Sequence, residues 1–351
     1  MSGATRLSAL EPEWLQTALA RRGANAASVA SVEVQPVTFT GATTDMARLH
    51  IGYADDGDPG PPRLIAKLRG QRAVQRQMDR AMGLFQREAH FYAAFAGEVP
   101  VRTPRCWFVG DGDSTPLLLE DLADQRMGDQ TEGMRLTDAE ATLDALADQH
   151  AAFWESDRLG EPWLALPGEG DYAETIGTLV ASGAPMLAER YGDHISRELM
   201  GTILDRASAW TEILARLVEG PQTLIHNDAR LDNLFFAEDG TPCLIDWQLA
   251  ARGRGTQDVG NLLAGSMDGD DLSTHWERLL RRYHDRLVAN GVSGYGYDQC
   301  LEHYRQSAVY PLGAGMALLG AMDIGDGRGL GDRIVTRCLR HISELASFDA
   351  L

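Results

Sequence analysis

Apolar and polar residues alternate along several short stretches in the first third of the chain. This period of two is typical of strands with one face buried, and it marks residues 32–34, 46–53 and 63–68. Two further apolar stretches, 106–109 and 116–119, flank an Asp-Gly turn. The pattern therefore predicts a small sheet near the N-terminus.

Helical spacing dominates the remaining chain. Residues 11–21 and 72–96 predict helices that accompany the sheet, and Thr137 with Glu140 has the spacing of a capping box at the start of another helix. Further helices are predicted at residues 173–191, 197–217, 274–289, 297–319 and 332–345. We expect an α+β protein with its strands in a first part and its helices mainly in a larger second part.

A short hairpin follows residue 226 and carries oxygen-bearing side chains at both ends. Apolar residues 234–236 and 243–245 flank a turn that contains Asp239-Gly240. A tight hairpin brings its ends together, so we expect Asn233 before it and Asp246 after it to lie close. Mg²⁺ takes few protein oxygens and keeps water or phosphate as its other ligands. The sequence therefore predicts Asn233 and Asp246 as magnesium ligands.

His226, Asp228 and Asn233 have the spacing H-x-D-x-x-x-x-N. This is the spacing of the kinase catalytic loop, in which the aspartate accepts the proton of the attacking hydroxyl. The alternative is a surface loop in which these polar side chains only cap turns. The hairpin that follows favours the catalytic interpretation, with Asp228 as the base.

This region resembles the aminoglycoside phosphotransferase and ecdysteroid-kinase-like family of small-molecule kinases. The sequence Asp246-Trp247-Gln248 is more similar to the ecdysteroid-kinase-like branch than to protein kinases, and Asn227 departs from the glycine of many members. The resemblance covers nearly the whole chain but is specific only in residues 224–261. It implies a two-lobed protein-kinase-like fold that uses ATP and Mg²⁺, with a nucleotide-binding lobe at 1–120 and a catalytic and substrate-binding lobe at 121–351.

Several residues of the first lobe are candidates for nucleotide binding. The turn at Gly41 has the position of a phosphate-covering loop, although a plain hairpin turn has the same pattern. Lys67 lies within an apolar strand, where a buried ammonium needs an anion; the alternative is an edge-strand lysine. The resemblance implies Glu88 as the partner of Lys67 rather than a solvated surface glutamate. It also places adenine against the backbone of residues Glu120 to Leu122, without deciding between ATP and GTP.

Other polar residues near the catalytic loop have less certain roles from sequence alone. Arg230 is a candidate for neutralising the transferred phosphate, or it pairs with the neighbouring Asp232. His226 is expected to brace the loop rather than to exchange protons. The resemblance implies that Asp258 ties the loop to the following helix.

Composition excludes some classes of function. The net charge of −19 over 351 residues argues against a nucleic-acid partner, because no basic face is available for phosphates. Acidity fits a cationic substrate but also simply promotes solubility. The four cysteines are widely spaced, which predicts free thiols in a reducing cytoplasm. We find neither a signal peptide nor an apolar stretch of about 18 residues, so no membrane span is expected.

The expected activity is transfer of the γ-phosphate of ATP to a hydroxyl of a small molecule. The alternatives are a non-catalytic pseudokinase-like nucleotide-binding module, which the intact candidate residues disfavour, and an aminoglycoside-inactivating kinase. Residues 154–191 and 304–322 are candidate walls of the acceptor site, although their aromatic residues, Met and Gly equally fit a buried core. An apolar or amphipathic alcohol is preferred over a polycationic aminoglycoside.

Overall fold

The computed structural model describes residues 7–21, 27–37, 44–54, 57, 59–110, 116–321 and 330–351. The chain divides into two compact units. The first unit contains residues 1–99, 103–125 and 246–248, and the second contains residues 100–102, 126–245 and 249–351. The short segment 246–248 thus belongs to the first unit although the chain around it belongs to the second.

The first unit is built on a five-stranded sheet in the order β1-β2-β3-β5-β4. All neighbouring strands in it are antiparallel. The strands are β1 (Val29–Pro36), β2 (Thr44–Tyr53), β3 (Arg63–Arg69), β4 (Cys106–Val109) and β5 (Leu117–Glu120), and the helices are α1 (Pro12–Ala20), α2 (Ala73–Met82) and α3 (Leu84–Ala94). The predicted sheet is therefore present, with its strands hydrogen-bonded in one layer.

One face of this sheet packs against α1. Leu15 and Leu19 of the helix are almost fully buried and belong to the same apolar cluster as Leu49, Leu64 and Leu118 of the central strands. Burying such side chains removes apolar surface from water, which is the main favourable term in folding. The leading helix is thus an integral part of the first unit.

The second unit is mainly helical. Its helices are α4 (Leu136–Ala152), α5 (Gly170–Tyr191), α6 (Arg197–Ala207), α7 (Trp210–Leu217), α8 (Gly255–Ser266), α9 (Gly269–Ala289), α10 (Tyr297–Ser307), α11 (Tyr310–Ala321) and α12 (Leu330–Leu345). Its short strands are β6 (Arg126–Met127), β7 (Thr223–Ile225), β8 (Leu234–Phe236), β9 (Pro242–Leu244) and β10 (Ala251–Gly253). β6, β8 and β9 form one small sheet, and β7 pairs with β10.

The helices α5 and α11 approach each other closely. A Cβ added at Gly183 would lie 1.9 Å from the carbonyl oxygen of Met316, so only glycine fits there. Trp210, Met316 and Cys338 are buried in the apolar cluster around this contact. None of the helices in the described ranges is long and apolar enough to span a membrane.

The sequence pattern predicted most elements but not all of their ends. The helix predicted at 72–96 is divided at Gly83, whose φ of 64° ends α2 in the left-handed region. The helix predicted at 297–319 is likewise divided into α10 and α11. The capping box at Thr137 and Glu140 was wrong, because α4 begins with Arg135 as its N-cap and has no side-chain cap.

Candidate active site

The candidate catalytic loop connects β7 to β8 in the second unit. Its start is tied to Asp258 of α8, a side chain with no exposed surface. The backbone N–H groups of His226 and Asn227 each donate to an oxygen of this carboxylate at 2.7 Å. Hydrogen bonds to a buried carboxylate are stronger than neutral ones, so the loop is firmly anchored to the helix. Asp258 therefore makes the supporting contacts that the family resemblance implied.

The ring of His226 links the loop to the far end of the hairpin. Its Nε2 lies 2.8 Å from the carbonyl oxygen of Ile245, and its Nδ1 accepts from the N–H of Asp228 at 3.2 Å. A ring that accepts at Nδ1 and donates at Nε2 is a neutral imidazole in one tautomer. The side chain is fully buried and uses both nitrogens. His226 thus braces the loop and is not placed to exchange protons with a substrate.

The carboxylate of Asp228 is held in place but keeps an accessible face. Its Oδ2 accepts from Nδ2 of Asn233 at 2.8 Å, and the same amide nitrogen lies 2.9 Å from the Asp228 carbonyl oxygen. The side chain of Asp228 retains 23% exposure. The amide nitrogen of Asn233 is directed at Asp228, so the amide oxygen is the atom left to act as a ligand. Asn233 ends the short helical turn Leu231–Asn233, and Asp228 lies on the loop that precedes it.

Arg230 lies between two carboxylates. Its Nε is 3.4 Å from Oδ1 of Asp228, and its Nη1 is 3.1 Å from Oδ2 of Asp232. Asp232 is nearly buried, and its Oδ1 accepts from the N–H of Gln130 at 2.9 Å. The pairing of Arg230 with Asp232 is therefore present, together with a second contact to Asp228. Both carboxylate oxygens of Asp232 are therefore occupied by contacts with Arg230 and Gln130.

A second group of predicted residues meets within the first unit. Lys67 lies in β3, is 5% exposed, and forms ion pairs with Glu88 of α3 at 2.6 Å and with Asp246. Burial alone would lower the pKa of Lys67, but the carboxylates of Asp246 and Glu88 outweigh burial and raise it. The lysine therefore remains charged, as a buried ammonium between two anions should. The alternative of an edge-strand lysine is wrong, since β3 has a neighbour on each side.

Glu88 is completely buried, which excludes a solvated surface role. Burial raises its pKa to about 7, although Lys67 opposes the shift. One lysine faces two carboxylates here, so one of the two anions is incompletely compensated.

The residues after Asp246 fix its position relative to α3. The ring of Trp247 stacks on Phe91 of α3 at 3.9 Å between centroids, with the planes 4° apart. Nε2 of Gln248 donates to Oδ2 of Asp246 at 3.1 Å. Asp246 itself has a φ of 66°, which is unusual for a residue other than glycine. Such strained conformations concentrate at functional sites.

The connector that is predicted to hold adenine is tied to neighbouring strands by hydrogen bonds. The N–H of Glu120 donates to the carbonyl of Arg105 at 2.8 Å, and its carboxylate accepts from the N–H of Arg105 at 3.0 Å. The nearly buried carboxylate of Asp121 accepts from Nε of Arg48 at 2.7 Å. Leu122 is 5% exposed, and its carbonyl accepts from the N–H of Gln125. Gly41, the predicted phosphate-loop glycine, lies outside the described residues.

Comparison with known proteins identifies the family. Residues 53–303 match the model of the phosphotransferase enzyme family that includes the aminoglycoside phosphotransferases. The chain belongs to this family. No curated protein matches it at a significant level of sequence similarity. Membership makes the protein an ATP-dependent phosphotransferase that acts on a small molecule, as the family resemblance implied.

Solved structures confirm the protein-kinase-like fold of this phosphotransferase. An ethanolamine kinase of Plasmodium vivax matches with a TM-score of 0.56 and 12% identity over 92% of this chain and 86% of its own. A choline kinase of Streptococcus pneumoniae matches with a TM-score of 0.51 and 14% identity over 90% and 95% of the two chains. A choline/ethanolamine kinase family protein of Mesorhizobium loti gives 0.51 and 14% over 98% and 99%.

The structure also shows supporting residues that sequence reasoning missed. His150 of α4 is fully buried, with Nε2 3.2 Å from Asp258 and Nδ1 2.8 Å from the hydroxyl of Tyr283. The hydroxyl of Tyr310 donates to the carbonyl of Asn227 at 3.2 Å. A histidine on the apolar face of a predicted helix was the one available signal. It could indicate burial but could not indicate the partner.

The acceptor-site prediction needs correction for the second candidate wall. Tyr304 and Met316 have no exposed surface, and Tyr304 bonds to His341 at 2.7 Å. They belong to the packed interior, as the alternative interpretation stated. Tyr310 is 8% exposed, and its hydroxyl contacts the catalytic loop at Asn227, so its place in the acceptor site stays a prediction. Met322, at the end of this wall, lies outside the described residues.

Proposed function

We propose that this phosphotransferase transfers the γ-phosphate of Mg·ATP to a hydroxyl of a small alcohol, with Asp228 as the base. The observation that carries the proposal is the Asp228 carboxylate. It is oriented by the amide of Asn233, lies on a loop pinned to buried Asp258, and remains partly exposed. A base must be fixed and still reach the proton that it accepts.

The residues present fit a magnesium ion. A carboxylate at Asp246 and an amide oxygen at Asn233 are hard ligands of the type that Mg²⁺ takes in small number beside phosphate. The described residues contain no cluster of three or more His, Cys, Asp or Glu residues suited to a metal. A site completed by phosphate and water therefore fits these residues better than one ligated by protein alone. The ion would neutralise charge on the β- and γ-phosphate oxygens. We propose Asn233 and Asp246 as its protein ligands.

Residues of the first unit are proposed to bind the nucleotide. Lys67 carries a charge that two carboxylates maintain, and we propose that it contacts the phosphates while Glu88 positions it. We propose that the backbone at Glu120 and Leu122 bonds to adenine, since hydrogen bonds to the side chains of Glu120 and Asp121 hold the connector in place. The turn at Gly41 is retained as the proposed cover of the phosphates.

In the proposed reaction, Asp228 accepts a proton and Arg230 offsets negative charge. The acceptor hydroxyl gives its proton to Asp228 as its oxygen forms a bond to the γ-phosphorus. The bond between that phosphorus and the oxygen bridging it to the β-phosphate breaks, and ADP leaves with the electron pair. Arg230, which lies 3.4 Å from Asp228, is proposed to offset negative charge in the loop as the phosphoryl group approaches.

The acceptor class is the least constrained part of the proposal. Three structurally similar proteins are named for ethanolamine or choline, which are small alcohols with one positive charge. The net charge of −19 is compatible with such an acceptor. We therefore propose small amino alcohols as the first candidates and aminoglycosides as the second. All four cysteines are free thiols, which supports a reducing compartment such as the cytoplasm.

An acceptor screen with γ-labelled ATP tests this proposal. The panel contains ethanolamine, choline, 1-amino-2-propanol, uncharged alcohols, streptomycin and kanamycin, with wild-type protein and Asp228→Asn run in parallel. We expect labelled product with at least one small alcohol and a much lower rate for the variant. Product from the aminoglycosides alone would overturn the acceptor class, and equal rates for both proteins would remove Asp228 from its role.

A further inference from the structure

Asn227, between His226 and Asp228, adopts a conformation that favours glycine. Its φ is 64°, in the left-handed region where a Cβ crowds the following carbonyl. The side chain is 1% exposed, so the conformation is enforced inside the protein and not by solvent. Any rotation at this residue changes the direction of the next side chain, which is the proposed base.

Three contacts hold this residue. Its N–H donates to Asp258 at 2.7 Å, and its carbonyl accepts from the Tyr310 hydroxyl at 3.2 Å. Its side-chain Oδ1 accepts from Nε2 of Gln257, which lies beside Asp258 on α8. The first two contacts use the backbone and would exist with glycine at this position. Only the third depends on the asparagine side chain.

Gln257 is suited to this contact by its position. It is 1% exposed, and its N–H donates to the carbonyl of Arg254 at 2.9 Å in the first turn of α8. Within the described part of the chain, Oε1 of Gln257 and Nδ2 of Asn227 have no hydrogen-bond partner. The two amides are therefore joined by one bond, and removing it disturbs no other side-chain hydrogen bond among these residues.

We propose that Gln257 is a positioning residue that directs the Asp228 carboxylate by holding Asn227 in its left-handed conformation. The inference rests on the proposed role of Asp228 as the base. Without the bond, residue 227 gains access to the right-handed and extended conformations that a side chain ordinarily prefers. The base then spends less time aligned with the acceptor, and small misplacements of a catalytic group slow reactions strongly.

A double-mutant cycle tests the route through Asn227. The four proteins are the wild type, Gln257→Met, Asn227→Gly and the double variant. Methionine keeps the approximate length of glutamine and removes the amide, and glycine adopts a positive φ without support. Gln149→Met is the matched control, because Gln149 is also 1% exposed in the second unit and its amide has no hydrogen-bond partner among the described residues.

Two measurements are made on each protein. Amide hydrogen exchange of residues 226–228, measured by NMR without nucleotide, reports the stability of the loop. Steady-state ADP release with Mg·ATP and the acceptor panel gives kcat and the KM for ATP. We expect Gln257→Met to accelerate exchange about tenfold or more and to lower kcat about 10- to 100-fold, with the KM for ATP unchanged. Gln149→Met should match the wild type in both.

The decisive comparison is the effect of Gln257→Met with and without the asparagine side chain. In the Asn227→Gly background, the substitution should change neither exchange nor kcat further. Equal effects in both backgrounds, or a lower melting temperature without a change in kcat or loop exchange, would overturn the inference. Absence of ADP release by the wild type with every acceptor, or full activity of Asp228→Asn, would instead mean that the proposed function has failed.

Discussion

Glu88→Gln should change how the stability of the protein depends on pH. Burial raises the pKa of Glu88 from 4.5 to about 7 in the folded protein. An acid with a raised pKa binds its proton more tightly when folded than when unfolded. Its contribution to stability is therefore complete below pH 4.5 and is lost as the pH rises through 7. The two pKa values differ by about 2.5, and at about 1.4 kcal/mol for each pH unit the loss is about 3 kcal/mol.

Urea unfolding between pH 4.5 and 8 measures this contribution. The protein is kept free of nucleotide and in EDTA, and the quantity compared is the unfolding free energy of the wild type minus that of Glu88→Gln. Glutamine cannot ionise, so the difference isolates the titration of Glu88 from other groups. We expect the difference to fall by about 3 kcal/mol across the range and to level off above pH 7.

A matched substitution and the sign of the slope make the test decisive. Glu33→Gln in β1 removes an exposed carboxylate of the same unit and serves as the control for the loss of one negative charge. If Lys67 instead compensated Glu88 fully, the pKa would be depressed and the difference would rise with pH. A rising or flat difference for Glu88→Gln would therefore refute the conclusion that burial dominates at this site.

Three other substitutions test the remaining parts of the site. Asp228→Asn should lower kcat by about 10²–10⁴-fold with ATP affinity retained, measured with any acceptor that the screen identifies; near-normal turnover would exclude the base role. Asp246→Ala should abolish the Mg²⁺ dependence of ATP binding in calorimetry, and equal affinities for Mg·ATP in both proteins would remove it as a metal ligand. Asp258→Ala leaves two buried N–H groups and Nε2 of His150 without their partner and should lower the unfolding free energy by about 3 kcal/mol or more; an unchanged urea midpoint would contradict that expectation.

The catalytic loop could be predicted because its information is local. Asp228 and Asn233 are five residues apart on one loop, and the amide of Asn233 contacts the Asp228 carboxylate. Lys67 was identified by a charge within an apolar strand, which is also a local signal. Glu88 was different, because the predicted helix 72–96 contains two acids, Asp79 and Glu88, and its apolar pattern selects neither. Its choice needed the family resemblance, and the structure pairs it with Lys67.

The supporting contacts could not be predicted, since they depend on how distant helices pack. Tyr310 and Asn227 are 83 residues apart in sequence, and Gln257 and Asn227 are 30 apart. Neither spacing carries a periodic signal, so the sequence could not show that Tyr310 and Gln257 contact Asn227. The break at Gly83 was missed for another reason, because the apolar pattern continues on both sides of the left-handed residue.

Two residues of the proposed site have a backbone conformation that favours glycine. Among the described residues other than glycine, positive φ occurs at Glu155, Asn227, Asp246 and Ala346. Each such residue costs about 1–2 kcal/mol relative to an ordinary conformation. Asn227 directly precedes the proposed base, and Asp246 is a proposed metal ligand held by Lys67 and Gln248. Glycine would adopt either conformation without strain, so we propose that the side chains themselves are needed at these two positions. At Asp246 the required group is the carboxylate itself, whereas at Asn227 it is the amide that joins the loop to α8.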